Sequence, residues 1–218
     1  MYKTTELLNL EHTIAKKYLS QQEYPWTAIT KIKDIILELI NNLNKEEYNQ
    51  IKENVWVHKT AKIYDSAYID GPTIIGANTE VRHCAFIRGS ALIGEGCVIG
   101  NSCEIKNAII FDGAQVPHYN YVGDSILGYK AHMGAGSITS NLRSDKNLIK
   151  IHGDQIIETG LKKMGAIIGD EAEIGCNAVL NPGCIIGRNA MVYPTSCVIG
   201  VVEENKIHTN TGKILPRK

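Results

Sequence analysis

The chain has 218 residues, with 23 Lys+Arg set against 23 Asp+Glu and a formal net charge of zero. That balance lacks the basic excess that phosphate backbones and anionic membranes attract, so neither nucleic acid nor a membrane surface is expected as a partner. No apolar run reaches membrane-spanning length, and the opening MYKTTELLNLEHTIAKKYL mixes charges among its apolar residues, unlike a signal peptide; the expectation is a cytoplasmic protein.

The first elements read as helical. Residues 5–19 place Leu7, Leu10, Ile14 and Tyr18 at helical spacing, and residues 28–43 do the same with Ile32, Ile36, Leu39, Ile40 and Leu43. Two amphipathic helices are predicted, with the proline of EYPWTA breaking them apart. Residues 1–54 are expected to form a helical cap over the open first coil of the next domain, or an oligomer contact, because a solenoid end leaves backbone groups unpaired.

From Val57 the period changes to six. Aliphatic residues fall at Val57, Ile63, Ile69, Ile75, Val81, Ile87, Ile93, Ile99 and Ile105, and again at Ile168, Ile174, Leu180, Ile186, Val192 and Val198. Four places after each stands a small residue, for example Ala61, Ala85, Cys97, Cys103, Ala172 and Cys184. A period of six suits neither a long helix nor an ordinary alternating strand; it marks a hexapeptide parallel β-helix. Each hexad is one short strand plus a corner, and three close a triangular coil. Glycine follows many of the aliphatics (Gly76, Gly94, Gly100, Gly169, Gly175, Gly187), which predicts turn dihedrals at those sites. The six cysteines contain no C-x-x-C pair, and Cys97, Cys103 and Cys184 read as small packing residues, so no metal is expected. The predicted architecture is mainly β: the N-terminal helical segment 1–54, a single-stranded β-helix over 55–205, and a tail over 206–218.

Two departures break the repeat. Leu127 lies 22 residues after Ile105, which is not a multiple of six and suggests an insertion. A longer excursion, 140–163, concentrates charge and has no hexad pattern; long loops on a rigid scaffold tend to carry function. Nearby, Arg88 and Lys106 are 18 residues apart, one full coil, so they should stack on one face as a cationic pair suited to an anion. His118 lies in the irregular stretch VPHYNYVGDSILG. An imidazole with an ordinary pKa of ~6.5 can take up a proton at neutral pH, which makes His118 a candidate general base. Asp124 reads as a corner residue satisfying backbone N–H groups.

The run H-x-x-Y-x-G-D from His118 to Asp124, followed by G-A-G-[ST]-I-T-x-N from Gly134 to Asn141, carries a resemblance. It is similar to the hexapeptide-repeat acyltransferase family: the acetyltransferase domain of the bifunctional bacterial enzyme acting on glucosamine-1-phosphate, and the C-terminal half of archaeal sugar-1-phosphate nucleotidylyltransferases. The resemblance covers roughly 55–205. It implies a left-handed coil, acetyl-CoA as cosubstrate, an amino-sugar phosphate or nucleotide-linked amino sugar as acceptor, and a homotrimer with sites between neighbours. By position, it implies that His118 is the general base, that Asn141 joins it at the sugar, that Tyr121 lies near the sugar phosphate, and that Arg88 and Lys106 hold that phosphate. Lys146 and Lys150 fall in the loop where the archaeal relatives keep lysines. Gly134, Ala135 and Gly136 are assigned to acetyl-CoA, their N–H groups being candidates for the developing oxyanion. His132 stands where the bacterial enzyme has a sugar-binding asparagine, which leaves the identity of the sugar open.

Other readings remain. Nucleotidylyl transfer is not expected from this chain alone, because residues 1–54 are too few for such a domain and hold no Gly-rich, Arg-containing loop. Metal-dependent hydration needs a second histidine five places after His118, where Gly123 stands. A sugar-nucleotide-binding or scaffold protein without turnover, or a partner of a separate nucleotidylyltransferase, would keep the same pocket.

Overall fold

The computed structural model describes residues 1–217; Lys218, the last residue of the expected tail, lies outside the described residues. The chain winds into a left-handed parallel β-helix with three faces. The first face carries strands such as Thr73–Ile75, Ala91–Ile93, Ala166–Ile168 and Cys184–Ile186, and the second carries Glu80–Val81, Val98–Asn101, Gln115–His118 and His132–Met133. The third carries Tyr68–Ile69, Phe86–Ile87, Ile138–Thr139 and Val179–Leu180. The six-residue aliphatics form the interior column: Ile75, Ile87, Ile93, Ile99 and Ile105 are fully buried, with Cys97, Cys103 and Cys184 packed among them. Among the described residues, no helix is long and apolar enough to cross a membrane.

The glycines after the aliphatics have another cause than turn dihedrals. None of Gly76, Gly94, Gly100, Gly169, Gly175 and Gly187 takes a positive φ. A Cβ on Gly76 would instead lie 2.6 Å from the Gly94 backbone, and one on Gly100 only 1.5 Å from the Pro117 carbonyl oxygen. These residues are glycine because the next coil comes too close for a side chain. The left-handed corner dihedrals fall elsewhere, at Asn78, Gly96, Gly113, Lys130, Glu171 and Asn189 along one edge.

The phase slip is a shortening rather than an insertion. Ile93, Ile110, Leu127 and Ile168 are in register on successive coils, so the sides Ile105 to Ile110 and Val122 to Leu127 are each five residues long. The preceding coil turns this corner with two left-handed residues, Gly89 and Ser90, whereas these coils turn it with one, Asn107 or Asp124, each at φ +48°. Strands Glu104–Ile110 and Tyr121–Leu127 therefore run on through the corner and join the first and third faces into one 14-stranded sheet.

The N-terminal segment is not two long helices. It comprises α1 (Thr4–Leu7), a 3-10 turn Leu10–His12, α2 (Lys16–Leu19), a 3-10 stretch Pro25–Lys31 and α3 (Ile32–Asn42). Local side chains compete with the first helix: Asn9 Oδ1 accepts from the Glu11 N–H and Thr13 Oγ1 from the Ala15 N–H, each at 3.2 Å. Nor does this segment cover the open first coil. It lies along the side of the solenoid, burying Leu7, Leu19, Ile29, Ile32 and Ile36 against outward-pointing Ile74, Leu92, Ile109, Ile126, Ile167 and Ile185 of the first face. The edge of the first coil is paired instead with an antiparallel strand, Tyr48–Lys52 on Val55–His58. At the other end, residues 206–216 are no loose tail, since Lys206–His208 and Ile214–Pro216 form an antiparallel hairpin on the second face. The 140–163 excursion folds back too: strands Lys150–His152 and Ile156–Glu158 make a hairpin, and Ile149, Ile151 and Met164 are buried in the layer that holds the N-terminal segment.

Candidate active site

His118 ends the strand Gln115–His118 at the corner between the second and third faces, and its side chain is exposed. Its backbone is held on both sides. The His118 N–H donates to Asn120 Oδ1 at 3.0 Å, and its carbonyl accepts from the Gly136 N–H at 2.9 Å. Among the described residues the imidazole has no hydrogen-bond partner within the chain. Asn120 itself is 2% exposed and points into the coil. Its Nδ2 donates to the Gly134 carbonyl at 2.7 Å and to Ser137 Oγ at 3.0 Å, so one buried amide ties the histidine to the Gly134–Ser137 segment. Between them Tyr119 takes φ +53° and projects into solvent, a conformation a bulky side chain rarely adopts.

Around that corner a second group of polar residues converges on Asp124, which is 4% exposed. Its carboxylate accepts from Lys106 Nζ at 3.1 Å, Asn107 Nδ2 at 2.8 Å and Asn141 Nδ2 at 2.5 Å. Asp124 is thus a corner residue whose carboxylate serves side chains, not the backbone N–H groups expected from the sequence. Asn141 also donates to Tyr121 Oη at 3.1 Å, and the phenol end of Tyr121 folds back onto Gly123, where a Cβ would meet Oη at 2.4 Å. Burial, with the carboxylates of Asp124 and Glu104 close by, pushes the Tyr121 phenol above its ordinary value. The Asn141 carbonyl accepts from the Met164 N–H at 3.0 Å, which places Asn141 at the neck of the excursion.

The other expected residues are more dispersed. Arg88 occupies the coil below Lys106 at the matching register, but its guanidinium pairs with Glu104 Oε1 at 2.7 Å. His132 lies one coil beyond Gln115 on the second face and its Nδ1 meets Glu173 Oε2 at 2.8 Å. Lys150 pairs with Glu158 on the hairpin, and Lys146 is exposed on the excursion. Of the three residues assigned to acetyl-CoA, Gly134 and Gly136 already give their N–H groups to the carbonyls of Ile174 and His118 and are not free to receive an oxyanion, which leaves the Ala135 N–H. Gly134 is dictated by packing, since a Cβ there would lie 2.7 Å from the Cys176 nitrogen, and Gly136 by its left-handed backbone at φ +71°. Among the described residues, no three of His, Cys, Asp and Glu are grouped as metal ligands.

Residues 80–157, which span His118, Tyr121, Asp124 and Asn141, match the family of the GMPPB C-terminal domain. The chain is 35% identical over 178 residues to a bifunctional sugar-1-phosphate nucleotidylyltransferase/acetyltransferase of Sulfurisphaera tokodaii, a match covering 80% of this chain and 44% of that protein. It spans about half the length of such bifunctional archaeal relatives. YaiX of Escherichia coli K12, an uncharacterized acetyltransferase, is 32% identical over 193 residues, 78% of this chain and 81% of that one. The chain belongs to the hexapeptide-repeat acetyltransferase family. A solved structure of a perosamine N-acetyltransferase variant from Caulobacter crescentus, in complex with CoA and GDP-perosamine, is 18% identical over 74% of this chain and 56% of that one. Its TM-score of 0.38 is too low for that likeness to inform the site.

In this member of the family, three residues of the arrangement escaped the sequence reading: Asn107, Asn120 and Glu104. Asn120 carried a signal. It lies four places after Val116, the position otherwise filled by small residues, so a polar side chain there is aimed inward.

Proposed function

We propose that this chain transfers the acetyl group of acetyl-CoA to the amine of an amino sugar that carries a phosphate or a nucleotide. The observation that carries the reading is the solvated imidazole of His118, whose backbone is pinned by Asn120 and Gly136, one corner away from the Tyr121–Asn141–Asp124–Lys106 group. Family membership supplies the acyl donor. His118 takes a proton from the attacking ammonium-derived amine as the new C–N bond forms at the thioester carbonyl; the tetrahedral intermediate then collapses, the C–S bond breaks and coenzyme A leaves as thiol after protonation.

Lys106 and Arg88 have unequal parts. Lys106 is one-quarter exposed and neutralises a buried carboxylate, so it chiefly fixes Asp124 and, through it, Asn141. Arg88 is held by an exposed pair with Glu104 that contributes little, leaving its guanidinium available to a phosphate. A homotrimer belongs to the same proposal: Lys146 and Lys150 make no contact with the Asp124 group of their own chain among the described residues, and would serve a neighbour's His118.

The test is release of free thiol from acetyl-CoA with a panel of amino-sugar phosphates and nucleotide-linked amino sugars. One acceptor should exceed background, and His118→Ala should lower kcat/KM about 10²–10⁴-fold. A panel with no active member, or an alanine variant at wild-type rate, would overturn the reading.

A further inference from the structure

Tyr68, Phe86, Glu104 and Tyr121 share one register on four consecutive coils of the third face. Two of them are large aromatics left in solvent: Tyr68 is 53% and Phe86 40% exposed, with ring centroids 5.8 Å apart. Each ring has a cation beside it. Lys52 Nζ lies 4.5 Å from the Tyr68 centroid, and the Arg88 guanidinium 5.8 Å from that of Phe86. Adjacent exposed aromatics on a sheet face offer a surface to a flat ligand, and because Lys52 is already paired with Asp70, Arg88 is the cation that makes an anionic one favourable.

We infer that Phe86, Tyr68 and Arg88 form a platform for the nucleoside diphosphate of a nucleotide-linked amino sugar. The base stacks on the Phe86 ring and meets Tyr68, inclined at 60° to that ring, at its edge; the diphosphate takes the Arg88 guanidinium, and the sugar extends past Tyr121 toward His118. For the sugar end this rests on the acetyl transfer proposed above, and it selects one of that proposal's two acceptor classes. Reach decides the selection. Tyr68 and Tyr121 are three strand spacings of ~4.8 Å apart, a span that a ribosyl diphosphate bridges and a lone phosphate does not. Base–aromatic stacking tolerates any base, because every base has a π-face. Arg88 can exchange Glu104 for phosphate oxygens because both side chains are solvated, 44% and 32% exposed, and a forked contact to a diphosphate is the stronger one. Glu104 opposes the anion, so its neutral variant Glu104→Gln should bind nucleotide more tightly.

Calorimetric titration of the full chain with UDP, dTDP and GDP tests this, with an amino-sugar-1-phosphate as the control ligand and sedimentation to record assembly. At least one nucleoside diphosphate should bind, and Phe86→Ala should weaken it about tenfold or more while leaving the sugar phosphate unchanged. Phe86→Leu, which keeps bulk but removes the ring, should show the same loss. The platform is overturned if none of the three binds, if both variants bind like the wild type, or if either variant changes the sedimenting mass, which would make the face a subunit contact. Measuring acetyl transfer alongside separates the two ideas. Turnover of a nucleotide-linked amino sugar with indifference to Phe86 sinks the platform alone, and nucleotide binding that needs Phe86 without turnover of any acceptor sinks the acetyl transfer alone.

Discussion

Replacing Asn120 with alanine should loosen the catalytic corner and the fold together. The side chain accepts from the His118 N–H, and donates to the Gly134 carbonyl and Ser137 Oγ, spanning two coils from a buried position. Gly134 keeps partners after the change, because its carbonyl also accepts from Ser137 Oγ at 2.8 Å and from the Ser137 N–H at 3.1 Å. The main orphan is therefore the His118 N–H. An unsatisfied donor in such a place costs ~1–3 kcal/mol, and lost amide packing brings the total to about 2–3 kcal/mol. For a chain of this length that lowers Tm by roughly 5–10 °C. Thermal unfolding followed by circular dichroism measures the shift. Acetyl transfer measured well below Tm separates positioning from stability: kcat should fall about tenfold with the shape of the pH–rate profile unchanged, as expected when a base is misplaced but keeps its chemistry. Asn120→Asp keeps the acceptor for His118 while setting a carboxylate oxygen against the Gly134 and Ser137 oxygens, and should be worse than alanine. If Asn120→Ala unfolds within 2 °C of the wild type at ~2 °C resolution per ~1 kcal/mol, the reasoning that this amide holds the corner is wrong.

Gly100→Ala drives a Cβ into the Pro117 carbonyl and should cost about 4 kcal/mol or more, whereas Gly96→Ala, at φ +61° with open space around it, should cost only ~1–2 kcal/mol; paired denaturant titrations compare them. A thiol reagent should modify Cys84, Cys176 and Cys197 in the native protein and reach Cys97, Cys103 and Cys184 only on unfolding. Burial pushes Cys97 and Cys184 from 9.0 up to about 12, so their contribution to stability is complete below pH 9 and is lost as pH rises toward 12; Cys184→Ala should flatten that decline in a pH series of unfolding midpoints. Asp124→Asn places an amide donor against the donors of Lys106, Asn107 and Asn141, and should cost about 2 kcal/mol in a chemical denaturation experiment.

The interior of this protein could be read from its sequence because one side chain in six has a single destination. Ile75, Ile87 and Ile99 can go nowhere but inward. Counting by six cannot, however, distinguish four added residues from two missing ones, and for that reason the slip before Leu127 reads as an insertion while the coils show two shortened corners. The destination of the N-terminal segment was also written in the chain, in another signal. Paired aliphatics recur on every coil of one face, Ile74–Ile75, Leu92–Ile93, Ile109–Ile110 and Ile167–Ile168, and the first of each pair points outward, which obliges that face to be covered. Periodicity placed Arg88 and Lys106 one coil apart, and its interruption marked the stretch that holds His118. It could not show that Lys106 answers to Asp124 and Arg88 to Glu104, because those pairings depend on which rotamers neighbouring coils allow.

A stack of coils that touch only their neighbours can come apart one rung at a time from either end. Here the N-terminal segment is laced along the stack: Tyr2 Oη accepts from the Glu204 N–H, the Asn9 N–H reaches Asp170, the His12 carbonyl accepts from Asp112, and the Ile29 carbonyl accepts from Asn107. Those four anchors lie on three different coils, Asn107 and Asp112 sharing one, so fraying at one rung must release a tether that also holds others. The lacing converts a one-dimensional array into a molecule that melts as a unit, and it does so with residues far apart in the chain, so the gain in cooperativity comes with slower assembly.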